Sequence, residues 1–243
     1  MDEIALKKGH GDYVLVISSP EEGCVLDVLP DRCKETLERW FDQFSPEERA
    51  QVEVACIDMW DPYRLAIEAK LPNAKIVPDR FHLQKNLNEV VTKARRAIQR
   101  QAPEEVRAVL KGSRWLLVRN YADLTEAQQA QLEAMFAVSP ELKQCHQLKE
   151  DFRQILELTD RDQAAQALSE WQEQVRASGL KQFDSFLTTL ANWGHYMLNY
   201  FEGRWSNGFA EGLNNKLQLI KRRAFGYHNF ENFRLRVLVE CEP

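Results

Sequence analysis

The sequence has no cysteine pair of the kind that holds a disulfide framework or a zinc ribbon. Its five cysteines are scattered over 243 residues, and none stands in a C-x-x-C motif. We therefore expect free thiols in a reducing compartment. No apolar run reaches the roughly 18–20 residues of a membrane span, and the N-terminus lacks a signal-peptide pattern. These absences predict a cytoplasmic protein that does not enter a membrane.

The sequence also has no excess of basic residues, and its net charge is −5. Taken alone, this value argues against nucleic-acid binding. The distribution differs, however: residues 80–100 hold 6 Lys/Arg against 1 Asp/Glu, and residues 203–236 hold 7 against 2. Two basic blocks on an otherwise acidic chain are what a phosphate-binding face would produce. Two solvated helix faces would produce the same pattern, so composition leaves both interpretations open.

The β pattern is confined to the first third of the chain. Apolar, β-branched runs predict strands at 12–18, 23–29, 52–57 and 74–77, with a further strand beside Asp2. Helical spacing predicts helices at 34–44 and 62–71. This order is typical of a ribonuclease-H-like domain, an α/β fold in which an antiparallel hairpin is extended by parallel strands. We therefore predict a mixed five-stranded sheet flanked by helices.

The middle of the chain shows helical periodicity without strands. This pattern predicts a large all-helical insertion over residues 83–200, in which one helix is expected over 104–119. The resulting organisation is a first part of the ribonuclease-H-like core at 1–82, the insertion at 83–200, and the last part of the core at 201–243. A final long helix is expected at 207–223.

Three acidic residues stand at positions that suit metal-dependent phosphoryl transfer. Asp2 lies in or beside the first strand, Asp58 follows the strand VEVACI, and Glu211 lies on the last long helix. Such chemistry needs carboxylates that converge on two metal ions about 3.5–4 Å apart. The chain has 37 acidic residues, so spacing alone does not distinguish these three from surface carboxylates.

Three segments resemble the catalytic blocks of ISL-group insertion-sequence transposases of the DDE superfamily. They are MDEIALKKGHGDYV, ACIDMWDPYRLAIEAKLPNAKIVPDRFHLQKNLN and NYFEGRWSNGFAEGLNNKLQLIKRRAFGYHNFENFRLRVL. A further match is GSRWLLVRNYADLT within the helical insertion. The resemblance covers nearly the whole chain.

This resemblance implies metal-dependent DNA strand cleavage and strand transfer that move an insertion sequence. Asp2, Asp58 and Glu211 would be catalytic and would bind two Mg²⁺ ions, with Mn²⁺ as a substitute. Asp79 and His82 match the family's D-x-x-H element; we interpret them as supporting residues or a structural clamp, with metal binding as the alternative. Asn207, Asn214 and Asn215 would orient Glu211 or metal-bound water.

The expected partner is DNA, both the ends of the element and the target. Phosphate contacts would fix the position of the duplex and carry little sequence information. Trp115 would stack on an unpaired base, although packing in a core is the usual role of such a residue. The candidate DNA-binding residues are Lys85, Lys93, Arg95, Arg96, Arg100, Trp115, Lys216, Lys221, Arg222 and Arg223.

One departure from the resemblance bears on activity. The family normally carries zinc-finger and helix-turn-helix regions before the catalytic region, whereas this sequence begins at Met1-Asp2. The full-length form is expected to act as a homodimer. The alternative to an active enzyme is a truncated or domesticated copy that binds DNA or a partner without catalysis. A stand-alone nuclease is a further alternative, but it would not need so large an insertion.

Overall fold

The computed structural model describes residues 1–6, 13–227 and 229–242. The described strands are β1 (Asp2–Ala5), β2 (Tyr13–Ser19), β3 (Cys24–Leu29), β4 (Val54–Ile57) and β5 (Lys75–Pro78). The helices, numbered in chain order, are α1 (Lys34–Phe41), α2 (Pro46–Arg49), α3 (Asp61–Lys70), α4 (Arg80–Gln101), α5 (Glu104–Leu110), α6 (Arg114–Val118), α7 (Glu126–Val138), α8 (Pro140–Glu157), α9 (Arg161–Ser178), α10 (Asp184–Met197), α11 (Tyr200–Gly203), α12 (Gly208–Arg223) and α13 (Phe230–Glu240).

The strands pair in two sets. β1, β2 and β3 form an antiparallel sheet in that order, and β4 pairs with β5 in parallel. The predicted hairpin is confirmed, with Val16 opposite Val28; Asp12, which the sequence placed in its first strand, lies outside the described residues. A single five-stranded sheet is not confirmed. One hydrogen bond joins the two sets, because the Met1 amino nitrogen donates to the Cys56 carbonyl at 2.9 Å.

The chain folds into two compact units. The first, here called the sheet unit, contains residues 1–79 and 203–243, and the second, the helical unit, contains residues 80–202. The sheet unit is therefore built from both ends of the chain, whereas the helical unit is continuous. Among the described residues, no helix is both long enough and apolar enough to cross a membrane.

The core of the sheet unit lies between the antiparallel sheet and the last two helices. Alternate residues of a strand point to opposite faces of the sheet. Ile4, Val14, Val16, Val25 and Val28 supply the sheet side of this core. The helical side comes from α12 and α13, through the buried residues Leu213, Leu217, Ile220, Phe233, Val237 and Cys241. This packing places α12, which carries Glu211, against the sheet.

A buried carboxylate ties three elements of the sheet unit together. Asp27 in β3 accepts a hydrogen bond from the Trp40 indole of α1 at 2.9 Å. The Arg234 guanidinium of α13 binds the same carboxylate through two nitrogens, at 2.6 and 3.2 Å. Because Asp27 is 7% exposed, these partners replace the water that its charge would otherwise need. The cluster joins β3 to both α1 and α13.

The helical unit has its own apolar core. Buried side chains of α4 to α8 form one cluster, which includes Val91, Leu117, Leu132 and Leu142. The sequence predicted one helix over 104–119, and that prediction was wrong in one respect: α5 ends at Leu110 and α6 begins at Arg114. Gly112, with a φ of +76°, takes the left-handed conformation that interrupts the helix.

A group of buried ionisable residues stabilises the end of α6. The Lys149 Nζ of α8 donates to the Leu117 and Arg119 carbonyls, each at 2.8 Å. These carbonyls lie at the C-terminal end of α6, where helical partners are lacking and a cation is favourable. Glu150 forms an ion pair with Lys149 at 2.6 Å and with Arg153 at 3.2 Å. The buried charges are thus balanced within one helix and its neighbour.

His146 lies beside this group and is neutral at pH 7. Burial, assisted by the charge of Lys149, lowers its pKa to about 4, and Glu150 opposes the change. A neutral imidazole can accept a hydrogen bond, and His146 Nε2 lies 3.4 Å from the Lys149 Nζ. Burial also lowers the pKa of Lys149, although Glu150 opposes this.

Candidate functional site

Two carboxylates lie next to each other at the carboxyl ends of the parallel strands. Ile57 of β4 is opposite Pro78 of β5. The next residues along the two strands are Asp58 and Asp79, and the Asp79 amide donates to the Ile57 carbonyl at 2.8 Å. The carboxyl ends of parallel strands are usual places for ligand-binding side chains, because the backbone there is fixed while the side chain faces a crevice.

The third carboxylate is that of Asp2, on β1. Its Oδ2 accepts a hydrogen bond from Asn214 Nδ2 at 2.6 Å, and its Oδ1 accepts from the Glu3 amide at 2.7 Å. Burial lowers the pKa of the Met1 amino group, whereas the Cys56 thiol and the carboxylates of Asp2, Asp58 and Asp79 oppose this change. The Met1 amino nitrogen, which precedes Asp2, donates to the carbonyl of Cys56, two residues before Asp58, so β1 begins beside the carboxyl end of β4.

Helix α12 reaches this junction through a stripe of polar side chains. The buried Asn207, at its N-cap, donates from Nδ2 to the Met1 carbonyl at 3.2 Å. Asn214 binds Asp2, and Lys221 donates to the Ala5 carbonyl. Residues three and four apart share one face of a helix. Glu211, four residues after Asn207 and three before Asn214, is thus positioned beside β1, and its side chain is exposed.

Asn214 contacts Asp2, whereas Asn215 points to solvent. The sequence named Asn207, Asn214 and Asn215 as orienting amides, and the structure brings the first two to Met1 and Asp2. The Oδ1 atom of Asn214 is buried and has no hydrogen-bond partner within residues 1–6, 13–227 and 229–242. A buried amide oxygen beside a carboxylate is a suitable acceptor for a water or a ligand for a hard cation.

The donor set at this site fits a divalent cation. Asp58 and Asp79 each offer one carboxylate oxygen, and these two atoms lie within 4.8 Å of each other. Carboxylate and amide oxygens suit Mg²⁺ and Mn²⁺. Asp2 and Asn214 supply further oxygens at the same junction.

The segment that leads into α12 is sterically specified. A Cβ at Gly203 would lie 2.3 Å from the ring of Trp205. Such a contact is impossible, so any side chain at this position would displace the indole. Arg204, between them, has a φ of +56°, which is uncommon for a residue other than glycine. These residues directly precede α12, whose N-cap is Asn207.

The first basic block divides into exposed and structural residues. Lys85, Lys93, Arg96 and Arg100 of α4 are exposed. Arg95 instead points into the helical unit, where its Nη1 donates to Gln99 Oε1 at 2.8 Å and to the Leu110 carbonyl at 3.4 Å. Burial lowers the pKa of Arg95. Of the five cations that the sequence proposed here, four are therefore accessible to phosphate.

The second basic block divides in the same way. Lys216 and Arg222 are exposed on α12. Lys221 binds the Ala5 carbonyl, and burial lowers its pKa. Arg223 is exposed but forms an ion pair with Glu240 of α13. The block thus both holds α12 in place and presents charge to solvent.

Trp115 lies on the surface of the helical unit. Its side chain is 66% exposed, and the Arg114 guanidinium lies 5.0 Å from its ring centroid. The alternative that the sequence left open, a packed tryptophan in the core, does not apply. Helix α6, which carries Trp115, is the one whose C-terminal end the buried Lys149 stabilises. The ring is therefore presented on a fixed support.

Comparisons with known proteins cover almost the whole chain. A protein-family profile described as "Transposase", of the ISL3 type, matches residues 1–237. The transposase for insertion sequence element IS1001 of Bordetella parapertussis is 33% identical over 240 residues, which is 98% of this chain and 59% of that protein. The transposase for insertion sequence element IS1557 of Mycobacterium tuberculosis is 26% identical over 252 residues, 94% of this chain and 56% of that protein.

The chain spans less than three fifths of the length of these two curated relatives. A Lactococcus lactis protein named ATP-dependent protease is 27% identical over 124 residues, half of this chain. That match is shorter than the two transposase matches and lies within a region that they also cover. No solved structure matches the chain.

Proposed function

This chain belongs to the ISL3-type transposase family, and we propose that it forms the catalytic region that cleaves DNA and joins the cut strand to a target. The observation that supports this most directly is that Asp58 and Asp79 follow the ends of two paired parallel strands, while Met1, next to Asp2, bonds to Cys56 of β4. Carboxylate oxygens gathered in this way are the ligands that a divalent cation such as Mg²⁺ prefers.

We further propose that β1 to β5 correspond to the sheet of a ribonuclease-H-like domain, in the order β3-β2-β1-β4-β5. The hydrogen bond from the Met1 amino nitrogen to the Cys56 carbonyl supports this strand order, because it brings the N-terminal end of β1 next to β4. The connection of the parallel strands β4 and β5 through α3 is consistent with it, since helices connect parallel strands in such sheets.

In this proposal Asp2 and Asp58 hold the metal ions and Glu211 completes the site. Two divalent ions, when bound, stabilise the attacking and leaving oxygens of a phosphoryl transfer. Asn214 keeps the Asp2 carboxylate in one orientation through its 2.6 Å hydrogen bond. Asp79 and His82 would either orient Asp58 or add ligands. Water would attack a phosphodiester first and break its bond to the 3′-oxygen, which leaves a 3′-hydroxyl and a 5′-phosphate. The 3′-hydroxyl would then attack a target phosphodiester and displace the 3′-oxygen of the target strand.

The accessible cations of both basic blocks would bind the DNA backbone. These are Lys85, Lys93, Arg96, Arg100, Lys216, Arg222 and Arg223. Such contacts position a duplex without reading its sequence. We propose DNA as the partner on this basis, and a homodimer for the longer protein, since two ends of an element must be cut together.

The metal site is tested by calorimetry with Mg²⁺ and by electron paramagnetic resonance with Mn²⁺. The variants are Asp58→Asn and Glu211→Gln, with Glu21→Gln as the control, because Glu21 lies exposed in the turn between β2 and β3. We expect Asp58→Asn to abolish binding, Glu211→Gln to weaken it, and the control to bind as the parent does. Circular dichroism checks that each variant is folded.

Catalysis is tested with supercoiled plasmid and Mn²⁺, because nicking needs no knowledge of the element's end sequence. We expect nicking by the parent chain and a loss of about a thousandfold or more in both site variants, since metal stabilisation of the transition state is worth several kcal/mol. Metal binding and DNA binding without nicking would instead favour the alternative function, a protein that binds DNA without catalysis.

A further inference from the structure

Phe225 is the most exposed large apolar residue in the described part of the chain. It follows α12 and Ala224, and its exposure is 101% of that of a free residue. Its φ is +54°, in the left-handed region. Non-glycine residues rarely occupy this region, and bulky ones least of all. The aromatic ring of Phe225 is thus fully exposed to water, and its backbone has a conformation that is unfavourable for a bulky residue.

The strained position belongs to a defined helix ending. The Gly226 amide donates to the Lys221 carbonyl at 3.0 Å, and the Phe225 amide donates to the Arg222 carbonyl at 3.1 Å. These two bonds are those of a Schellman motif, in which the left-handed residue is usually glycine. Phe225 occupies that glycine position. Glycine would satisfy the same hydrogen bonds at lower cost, so the stability of the helix ending does not explain the phenylalanine.

The neighbours of Phe225 hold the turn from its C-terminal side. Tyr227, two residues later, is half-buried and packs against the core, with its ring 5.2 Å from that of Phe233. On the N-terminal side, Lys221 binds the Ala5 carbonyl and Arg223 binds Glu240. The turn is therefore anchored at both ends, and the aromatic ring is presented at a fixed place.

The charge around Phe225 identifies the kind of partner. Residues 212–230 contain four Lys/Arg and no Asp/Glu, in a chain whose net charge is −5. Arg222 and Arg223 are exposed close to the ring. A fixed aromatic ring among cations is the combination with which proteins bind nucleic acid, because the cations bind phosphates and the ring stacks on a base. Apolar side chains next to basic ones also act as wedges between base pairs.

We propose that Phe225 stacks on, or inserts beside, a DNA base about six base pairs from the cleavage site. This inference rests on the DNA-binding part of the proposed function and names one residue that engages the bases. Fourteen residues separate Glu211 from Phe225, which along a helix corresponds to roughly 20 Å. A duplex rises about 3.4 Å per base pair. The base that Phe225 contacts should therefore lie about six base pairs from the phosphate beside Glu211.

The test uses binding alone, so it does not depend on catalysis. The full chain carrying Asp58→Asn is titrated into 30-base-pair duplexes that contain one 2-aminopurine, placed at successive positions, at low salt. Fluorescence of 2-aminopurine rises when its base is unstacked and changes again when it stacks on an aromatic ring. Phe225→Gly and Phe225→Trp are compared in this background. Leu235→Ala is the control, because Leu235 is an exposed apolar residue of the same unit.

We expect Phe225→Gly to weaken DNA binding about 5- to 100-fold and to remove the fluorescence change, while its melting temperature stays equal or rises. Phe225→Trp should retain both properties, and Leu235→Ala should behave as the parent. Equal DNA binding by Phe225→Gly, absence of DNA binding by the parent, or a lowered melting temperature that accounts for the loss would each overturn the inference. So would Phe225-dependent binding to vesicles rich in phosphatidylserine without any binding to DNA.

The result is separable from that of the catalytic test. Loss of metal-dependent nicking in the parent chain, with Phe225-dependent stacking intact, would refute the proposed catalysis alone. Nicking that Asp58→Asn abolishes, with DNA binding indifferent to Phe225, would refute the role of Phe225 alone.

Discussion

The two units of this protein each gather ionisable side chains, but the two groups are built on opposite principles. In the helical unit, Lys149, Glu150 and Arg153 form a group of alternating charge whose Lys149 also binds two backbone carbonyls. In the sheet unit, Asp2, Asp58 and Asp79 bring like charges to one junction. The first arrangement pairs opposite charges; the second gathers carboxylates, the oxygen ligands that a divalent cation prefers.

This contrast shows how a structural cluster can be told from a functional one. The pKa values of His146 and Lys149 are both lowered, mainly by burial, and strongly shifted pKa values often mark active sites. Here, however, Lys149 donates to two backbone carbonyls and also lies in contact with His146. The carboxylates of the sheet unit form the better candidate because their mutual repulsion is offset when a cation binds.

The largest effect is expected from breaking the balanced group. Lys149→Met should destabilise the helical unit by about 3–5 kcal/mol, because Glu150 loses a buried partner and two carbonyls lose their donor. Urea unfolding and hydrogen exchange in α6 and α8 would measure the change. Lys143→Met, an exposed site on the same helix, is the matched control. If Lys149→Met instead abolished Mg²⁺ binding while leaving stability unchanged, the comparison between the units would be wrong.

A second prediction concerns pH. Above pH 6.5, His146 is neutral in both the folded and the unfolded chain. Between pH 6.5 and about 4, the unfolded chain binds a proton that the folded chain does not, so stability falls as the pH falls. The total loss should be about 3 kcal/mol and should be complete near pH 4. His146→Gln should remove this part of the pH dependence; an unchanged pH profile would contradict the buried neutral imidazole.

A smaller effect is expected when Asn214, which binds the Asp2 carboxylate, is replaced. Asn214→Ala should weaken Mg²⁺ or Mn²⁺ binding by about 10- to 100-fold without unfolding the protein, because the Asp2 carboxylate loses the amide that orients it. Asn215→Ala, one residue further along α12 and exposed, should leave metal binding unchanged. Equal effects of the two substitutions on calorimetric affinity would remove Asn214 from the site.

The smallest effect on stability is expected for Trp115. Trp115→Ala should change the free energy of unfolding by no more than about 0.5 kcal/mol, because the ring is exposed. Trp171→Ala, in the core of the same unit, should cost about 3–5 kcal/mol. Fluorescence-detected binding of a frayed duplex should fall several-fold in Trp115→Ala. If binding does not fall, the proposed base-stacking role of Trp115 is wrong.

Local patterns in the sequence predict the strands and most helices well. The run VEVACI indicates a strand that ends at Asp58, and Ser45-Pro46-Glu47-Glu48 indicates a helix start, which the structure realises as a capping box. The break at Gly112 is not foreseen, since one glycine within a helical pattern is often tolerated. The apolar spacing assigns Trp60 to packing, but its side chain is 37% exposed, where Arg32 lies 4.6 Å from its ring centroid.

The contacts that sequence reasoning could not reach are those between residues far apart in the chain. The choice between Asn214 and Asn215 depends on the rotation of α12 against β1, which the apolar residues of several elements set together. The roles of Lys149 and His146 depend on where α6 ends, and no motif marks that position. In the sequence Phe225 is an ordinary aromatic residue, because its positive φ is a property of the folded turn alone.

The division of the sheet unit between the two ends of the chain has a consequence for biosynthesis. Asp27 receives its arginine partner from residue 234, and the face of the sheet is covered by helices made about 200 residues later. The continuous helical unit can fold as soon as it leaves the ribosome, since domains usually fold as they emerge. The carboxylate junction is assembled last, because a chain that has not yet reached α12 lacks both Glu211 and Asn214.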